Sequence, residues 1–310
     1  MRGGILKQQS LIFTYGLVFL ITAIWGLNVV FLKVLVENLP PHTMTAFRIM
    51  IAGVTAMLIV IFGRSLRALT IKEWVFTAFG MIFGVMMHHL FLAIGLMTTP
   101  ASTGSLILSL VPLATAILGM IFLNERLTKM RSVGFVLALI GVFFIQGGSF
   151  SGLQLSQGEF VLFISMFAQA ISFVFIKKAT ATLDSKQVTA IMNLAGSFGL
   201  LGISLITEPS GLSEMTDSTI GVCGILLLSG VVATGFGHMV FNSAIQKIGA
   251  SKTAIFNNFV PFFGVVFSVI FLKEQIAATQ LIGFVFIVAG VLFGTGYLER
   301  LWMKRKLKRG

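Results

Sequence analysis

From Leu11 to Tyr297 the chain is a succession of apolar runs about twenty residues long, separated by short turns rich in charge, proline or glycine. A helix rises ~1.5 Å per residue, so each run has the length needed to cross a hydrocarbon core ~30 Å thick. With 56% hydrophobic residues, 10% charged residues and 31 phenylalanines, a water-soluble fold of this size has no way to cover its apolar surface. The runs lie near residues 11–32, 42–62, 73–95, 100–123, 131–147, 158–177, 187–207, 219–244, 251–272 and 278–297. The expected fold is an all-α membrane protein with ten transmembrane helices. The first run leads into Trp25-Gly26-Leu27-Asn28 without a small-residue cleavage site, so it is expected to stay as helix 1 rather than leave as a signal peptide.

One stretch of the chain is stated twice. Ala101-Ser102, Val111-Pro112, Ile121-Phe122-Leu123 and Glu125 recur 149 residues later as Ala250-Ser251, Val260-Pro261, Ile270-Phe271-Leu272 and Glu274. The register continues through Gly134-Phe135-Val136, Gly141-Val142 and Phe144, giving 14 identities over the 44 positions from 101 to 144. A shared proline, a shared glutamate and a shared glycine heptad point to internal duplication. The units run over 1–150 and 151–310, the second ending in a basic tail. Five spans is an odd number, so a second copy enters the membrane from the opposite side. The halves are therefore expected to be inverted repeats, the architecture that exposes one central site to either face in turn.

The formal charge of +12 concerns topology rather than nucleic acid. With a cytoplasmic N-terminus, 19 of the 22 lysines and arginines fall in inside segments, six of them in the tail from Arg300 to Arg309. The positive-inside rule then sets both termini in the cytoplasm and the acidic segment from Glu208 to Asp217 outside, in a plasma-membrane, multi-pass protein. The same basic segments suit anionic lipid at the cytoplasmic face. A single cysteine, Cys223, excludes an intrachain disulfide or thiol metal cluster. No cofactor, metal or nucleic-acid partner is expected.

The run Ala23-Ile24-Trp25-Gly26-Leu27-Asn28 with Phe31 and Lys33, the Leu39-Pro40-Pro41 turn, and Arg48 followed by Ala52-Gly53 resemble the start of an EamA-type unit of the drug/metabolite transporter superfamily. Ala93-Ile94, Thr98-Thr99-Pro100-Ala101-Ser102, Pro112 and Leu123-Asn124-Glu125 add to the resemblance, which covers residues 11–297 as two units. It implies ten helices, inverted halves and the carriage or export of small metabolites, amino acids or drugs. The second half departs from the pattern, with Ala170 in place of Trp25 and Met192 in place of Arg48.

Ionisable groups inside a bilayer are costly and mark function by default. None of the ten carboxylates falls in mid-run; Arg48, His88, His89 and His238 do. His89 and His238 occupy the same repeat position, and His238 shares a helical face with Thr234 and Asn242. Either they line a pathway, where they would be the carriers of any proton coupling, or they bond neighbouring carbonyls and fix packing. Arg48 is expected to be a structural charge held by carbonyls. Pro112 and Pro261 free a backbone carbonyl in helices 4 and 9, as hinges beside polar stripes that include Ser102, Ser105 and Ser109 on one helix and Asn257 and Ser268 on the other. These stripes either form a binding surface or let helices pack closely. Helix 6 adds Gln169 and helix 1 adds Trp25 and Asn28 as substrate contacts. The glycines at 134, 141, 283, 290 and 294 form seams suited to contact between halves or between protomers of a homodimer.

The spans, the repeat and the polar interior point to a secondary transporter working by alternating access on a small-molecule substrate, zwitterionic or neutral, and the resemblance implies an exporter of amino acids, related compounds or drugs. There is no catalytic residue to nominate: no H-E-x-x-H, G-x-S-x-G or Walker loop occurs. The rival classes are a membrane-embedded enzyme and a structural or lipid-organising subunit.

Overall fold

The computed structural model describes residues 2–123, 128–145, 155–216, 218–248, 256 and 259–294, and these are helical apart from short connections. Fourteen α-helical segments are used below: α1 (Arg2–Asn38), α2 (Pro41–Phe62), α3 (Ile71–Met81), α4 (His88–Thr98), α5 (Ala101–Leu108), α6 (Val111–Leu123), α7 (Lys129–Ile145), α8 (Gln157–Ala179), α9 (Ser185–Thr207), α10 (Gly211–Thr216), α11 (Ile220–Leu227), α12 (Gly237–Ile248), α13 (Phe259–Leu272) and α14 (Ala278–Gly294). Among the described residues, seven stretches are long and apolar enough to cross a bilayer: Phe13–Asn38, Pro41–Phe62, Ile71–Thr98, Ala101–Gly119, Gln157–Ala179, Ser185–Thr207 and Ile220–Phe241. The helices Phe259–Leu272 and Ala278–Gly294 are apolar but shorter. This is a multi-pass membrane protein.

Local chemistry fixes the ends. Pro40 and Pro41 open α2, where a missing N–H costs nothing. Thr70 with Glu73 and Ser156 with Glu159 form reciprocal capping boxes at the starts of α3 and α8. Pro112 cannot donate to the carbonyl of Leu108, and the chain breaks there: the Ser109 amide bonds back to Ser105 and Leu106, Leu110 bonds to Ile107, and α6 restarts at Val111. Pro261 lies near the first described residue of α13. The short helix α10 falls inside the acidic segment from Glu208 to Asp217.

Among the described residues, two continuous spans contain π-helical turns, Ile82–Met87 between α3 and α4 and Leu228–Phe236 between α11 and α12. The offset of 149 residues pairs the first with residues 231–236, inside the second. The packing shows a matching regularity. The α2 helix lies along α9 and α7 along α14; α1 packs on α13 much as α5 and α6 pack on α8; and α3 and α4 meet α8 as the second π segment and α12 meet α1.

The glycine seams are used within the chain. A Cβ on Gly141 would lie 2.8 Å from the carbonyl oxygen of Gly283, and one on Gly290 would lie 2.7 Å from the amide of Ala138, so the α7 and α14 backbones touch. Of the two expected uses of the seam, contact between the halves is the one these glycines make. At one end of the bundle Arg67 donates to both Glu73 carboxylate oxygens and to the carbonyl of Thr182, while Gln187 bonds the backbone of Arg67. At the other end Glu208 accepts the amides of His42 and Thr43, and Lys33 donates to the carbonyls of Leu96 and Met97 at the end of α4.

Candidate functional site

The polar residues of the interior converge where α1, α2, α4, α8 and the second π segment meet. Arg48 of α2 is 1% exposed. Its guanidinium donates through Nη1 to Thr234 Oγ1 at 3.1 Å and through Nη2 to His89 Nδ1 at 3.2 Å. Its partners are side chains, not the carbonyls expected from the sequence. Nε has no hydrogen-bond partner. Among the described residues no carboxylate pairs with Arg48; the ion pairs there are Lys33–Glu37, His42–Glu208 and Arg67–Glu73.

The bonds assign the histidine tautomers. A guanidinium only donates, so His89 Nδ1 accepts and the neutral ring carries its proton on Nε2. His88 Nδ1 lies 3.1 Å from the carbonyl oxygen of Ser165 and 2.9 Å from its Oγ, while that hydroxyl donates to the His88 carbonyl. His88 Nδ1 therefore carries the proton and its Nε2 is left as an acceptor. The two rings are 4.7 Å apart, with opposite tautomers. His238 of α12 lies within electrostatic reach of both His88 and Arg48, so its equivalence to His89 in the repeat is matched by proximity in space.

Trp25 closes one side. Its indole N–H donates to the carbonyl of Ala233 at 2.8 Å, and its ring stands 5.2 Å from His238 and 4.9 Å from Phe241. A π turn displaces carbonyls from the regular ladder and so offers one to the indole. Gly237 is needed for the approach: a Cβ there would lie 2.7 Å from Trp25 Nε1. Asn28, one turn along α1, accepts from the Ser229 hydroxyl, and Thr234 Oγ1 also donates to the Ser229 carbonyl. Asn28, Ser229, Thr234, Arg48 and His89 thus form one connected chain of polar groups. Gln169 lies one turn from Ser165 on α8, with its Oε1 buried and unbonded.

Other expected contacts stand elsewhere. The Ser109 hydroxyl donates to the Leu106 carbonyl of its own helix. Ser105 faces α13, where a Cβ on Gly264 would meet its hydroxyl oxygen at 2.1 Å, and the Ser268 hydroxyl bonds the Val265 carbonyl. The α5 stripe is therefore a packing face at that depth. Asn257 lies outside the described residues, as does the side chain of Asn242. Sequence reasoning missed Ser229 and the Ala233 carbonyl, whose only signal was the crowd of glycines at 230, 235 and 237.

A multi-pass helical bundle with a buried polar centre, each half supplying a π-bearing span, is a transporter-like architecture. The chain belongs to the EamA-like transporter family, which matches residues 12–147 and again residues 156–295. It is 28% identical over 274 residues to the uncharacterized transporter YyaM of Bacillus subtilis, covering 86% of this chain and 88% of that protein. It is 27% identical over 286 residues to a probable amino-acid metabolite efflux pump of Salmonella typhimurium, covering 89% and 92%. A solved crystal structure shares its fold with a TM-score of 0.67 at 18% identity, covering 92% of this chain and 97% of the other.

Proposed function

We propose that this protein is a secondary transporter that exports small amino-acid-like, zwitterionic or neutral metabolites, or drugs, by alternating access across the plasma membrane. The observation that carries this reading is the buried polar chain from Asn28 to His89, together with the unbonded Arg48 Nε and Gln169 Oε1. Buried polar atoms are nearly always bonded, so orphaned ones deep in a bundle suit a ligand. Trp25 and Phe241 supply the aromatic wall. The efflux pumps among its relatives support amino-acid-like cargo and outward direction.

The mechanism rests on two inverted five-helix halves. The 149-residue repeat, the paired π segments and the matched helix packing support that relation. The charge asymmetry supports an orientation with both termini in the cytoplasm, beside anionic lipid. With Cys223 replaced by serine, Ser213→Cys should label in intact cells with a membrane-impermeant maleimide, while tags on both termini stay protected. Labelling only after permeabilisation would reverse the orientation.

Transport is tested by reconstitution and a metabolite screen in proteoliposomes. Trp25→Ala removes the indole bond to Ala233 and the wall beside His238, and is expected to lower uptake at least ~10-fold, equivalent to about 1.4 kcal/mol, which is less than the full cost of losing a buried aromatic. Normal transport by this variant would remove Trp25 from the site. Chemical conversion of a screened compound without vectorial movement would favour an enzyme. Neither conversion nor movement across the screen would favour a structural subunit.

A further inference from the structure

We propose that Arg48 is the carboxylate-recognition residue of this site, engaging an anionic oxygen pair of the cargo through Nε and the adjoining edge of its guanidinium. The inference rests on the transporter reading only in calling the bound molecule cargo. A guanidinium offers five N–H donors in a fixed plane and stays charged in proteins. Arg48 is 1% exposed and spends two of those groups on neutral acceptors, Thr234 Oγ1 and His89 Nδ1. Both bonds are made by the terminal nitrogens, which fixes the plane of the fork. Nε, also buried, bonds to nothing.

A buried cation kept only for packing is ordinarily paired with a carboxylate or fully bonded to carbonyls. Arg48 is neither: among the described residues no carboxylate pairs with it, and its partners are a hydroxyl and an imidazole. Among the described residues the ionisable side chains within electrostatic reach of Arg48 are histidines, and none supplies a negative charge. A site with a fixed positive charge, a free in-plane donor and no counter-ion is completed by a carboxylate, which matches the guanidinium fork with two parallel bonds. Thr234 and His89 then act as positioning residues that hold the fork.

The test uses the purified full-length protein in detergent and matched probes differing only in the anionic group: phenylacetate against phenylacetamide, and L-phenylalanine against L-phenylalaninamide. Binding is read by isothermal titration and by the rise in melting temperature. The acids should bind the parent at least tenfold more tightly than their amides. Arg48→Gln should abolish that preference, and Arg48→Lys, which keeps a charge but loses the planar fork, should reduce it several-fold. Equal binding of acids and amides by the parent, or none by either, overturns the proposal, as does an Arg48→Gln protein that keeps the preference. If neither variant can be purified folded, the charge is structural and the proposal fails. Acid-selective binding without vectorial movement in proteoliposomes would keep this site while removing the transporter reading.

Discussion

Gly134→Leu is expected to destabilise the protein by about 3 kcal/mol, the upper end of what overpacking costs. A Cβ at this position would sit 2.2 Å from the amide nitrogen of Gly294, 2.6 Å from the Gly290 carbonyl oxygen and 2.6 Å from Gly294 Cα. All three are backbone atoms, so no rotamer change in α14 can relieve the clash. The helices must separate along the whole seam, and the close contacts at Gly141, Gly283 and Gly290 are lost with it. Gly119 on α6 is the control, because a Cβ there meets nothing within 4 Å. Gly119→Ala should be neutral or stabilising by up to ~1 kcal/mol from helix propensity alone. The check is thermal unfolding in detergent, followed by helical circular dichroism and size-exclusion. A Gly134→Leu protein that melts with the parent would show that α7 and α14 do not meet there.

That seam illustrates what a sequence can disclose. Glycines spaced by seven residues on two apolar runs already said that backbones come close, because no other residue leaves room; which run met which required the fold. Pro112 likewise disclosed a break, since the missing N–H acts within one turn, and the structure locates it at Ser109–Leu110. Arg48 and the histidines stood out for a different reason: charge in a bilayer is expensive wherever it sits. Their partners did not stand out. The Thr234 hydroxyl and the Ala233 carbonyl are brought to Arg48 and Trp25 by a π turn, and a π turn has no hydrophobic period distinct from that of the helix around it. Long-range caps were equally silent. Glu208 lies 165 residues beyond Thr43, so nothing in the local pattern of α2 announces the carboxylate that holds its first turn.

A second large effect is expected at Glu274. Its carboxylate reaches across from the turn between α13 and α14 to the start of α5, where one oxygen accepts the Ala101 amide at 2.8 Å and the other accepts the Ser102 amide at 3.0 Å and the Ser102 hydroxyl. Pro100 has no N–H, so these amides are the first orphan donors of the helix, and an anion there also meets the positive end of the helix dipole. The chain bends sharply to make the contact: Lys273 adopts the left-handed conformation, φ 55°, and turns Glu274 out of α13. This arrangement ties the fourth apolar run to the last two, at the face that the proposed orientation puts outside. Under the proposed alternating access that face must part, so the carboxylate would weight the equilibrium toward the conformation in which it is bonded. Hydrogen bonds to a charged group contribute roughly 1.5–3 kcal/mol each and are not additive, so Glu274→Ala should release about 2 kcal/mol, a shift of roughly thirty-fold between conformations. Glu274→Gln, which keeps an acceptor without the charge, should fall between. The measurement is the labelling rate of Ser105→Cys by an impermeant maleimide from outside, in a Cys223→Ser background; Ser105 is 2% exposed in the closed arrangement. Labelling should accelerate by an order of magnitude or more in Glu274→Ala. A rate equal to that of the parent, with unchanged melting temperature, would mean that the carboxylate caps α5 without biasing which face is open.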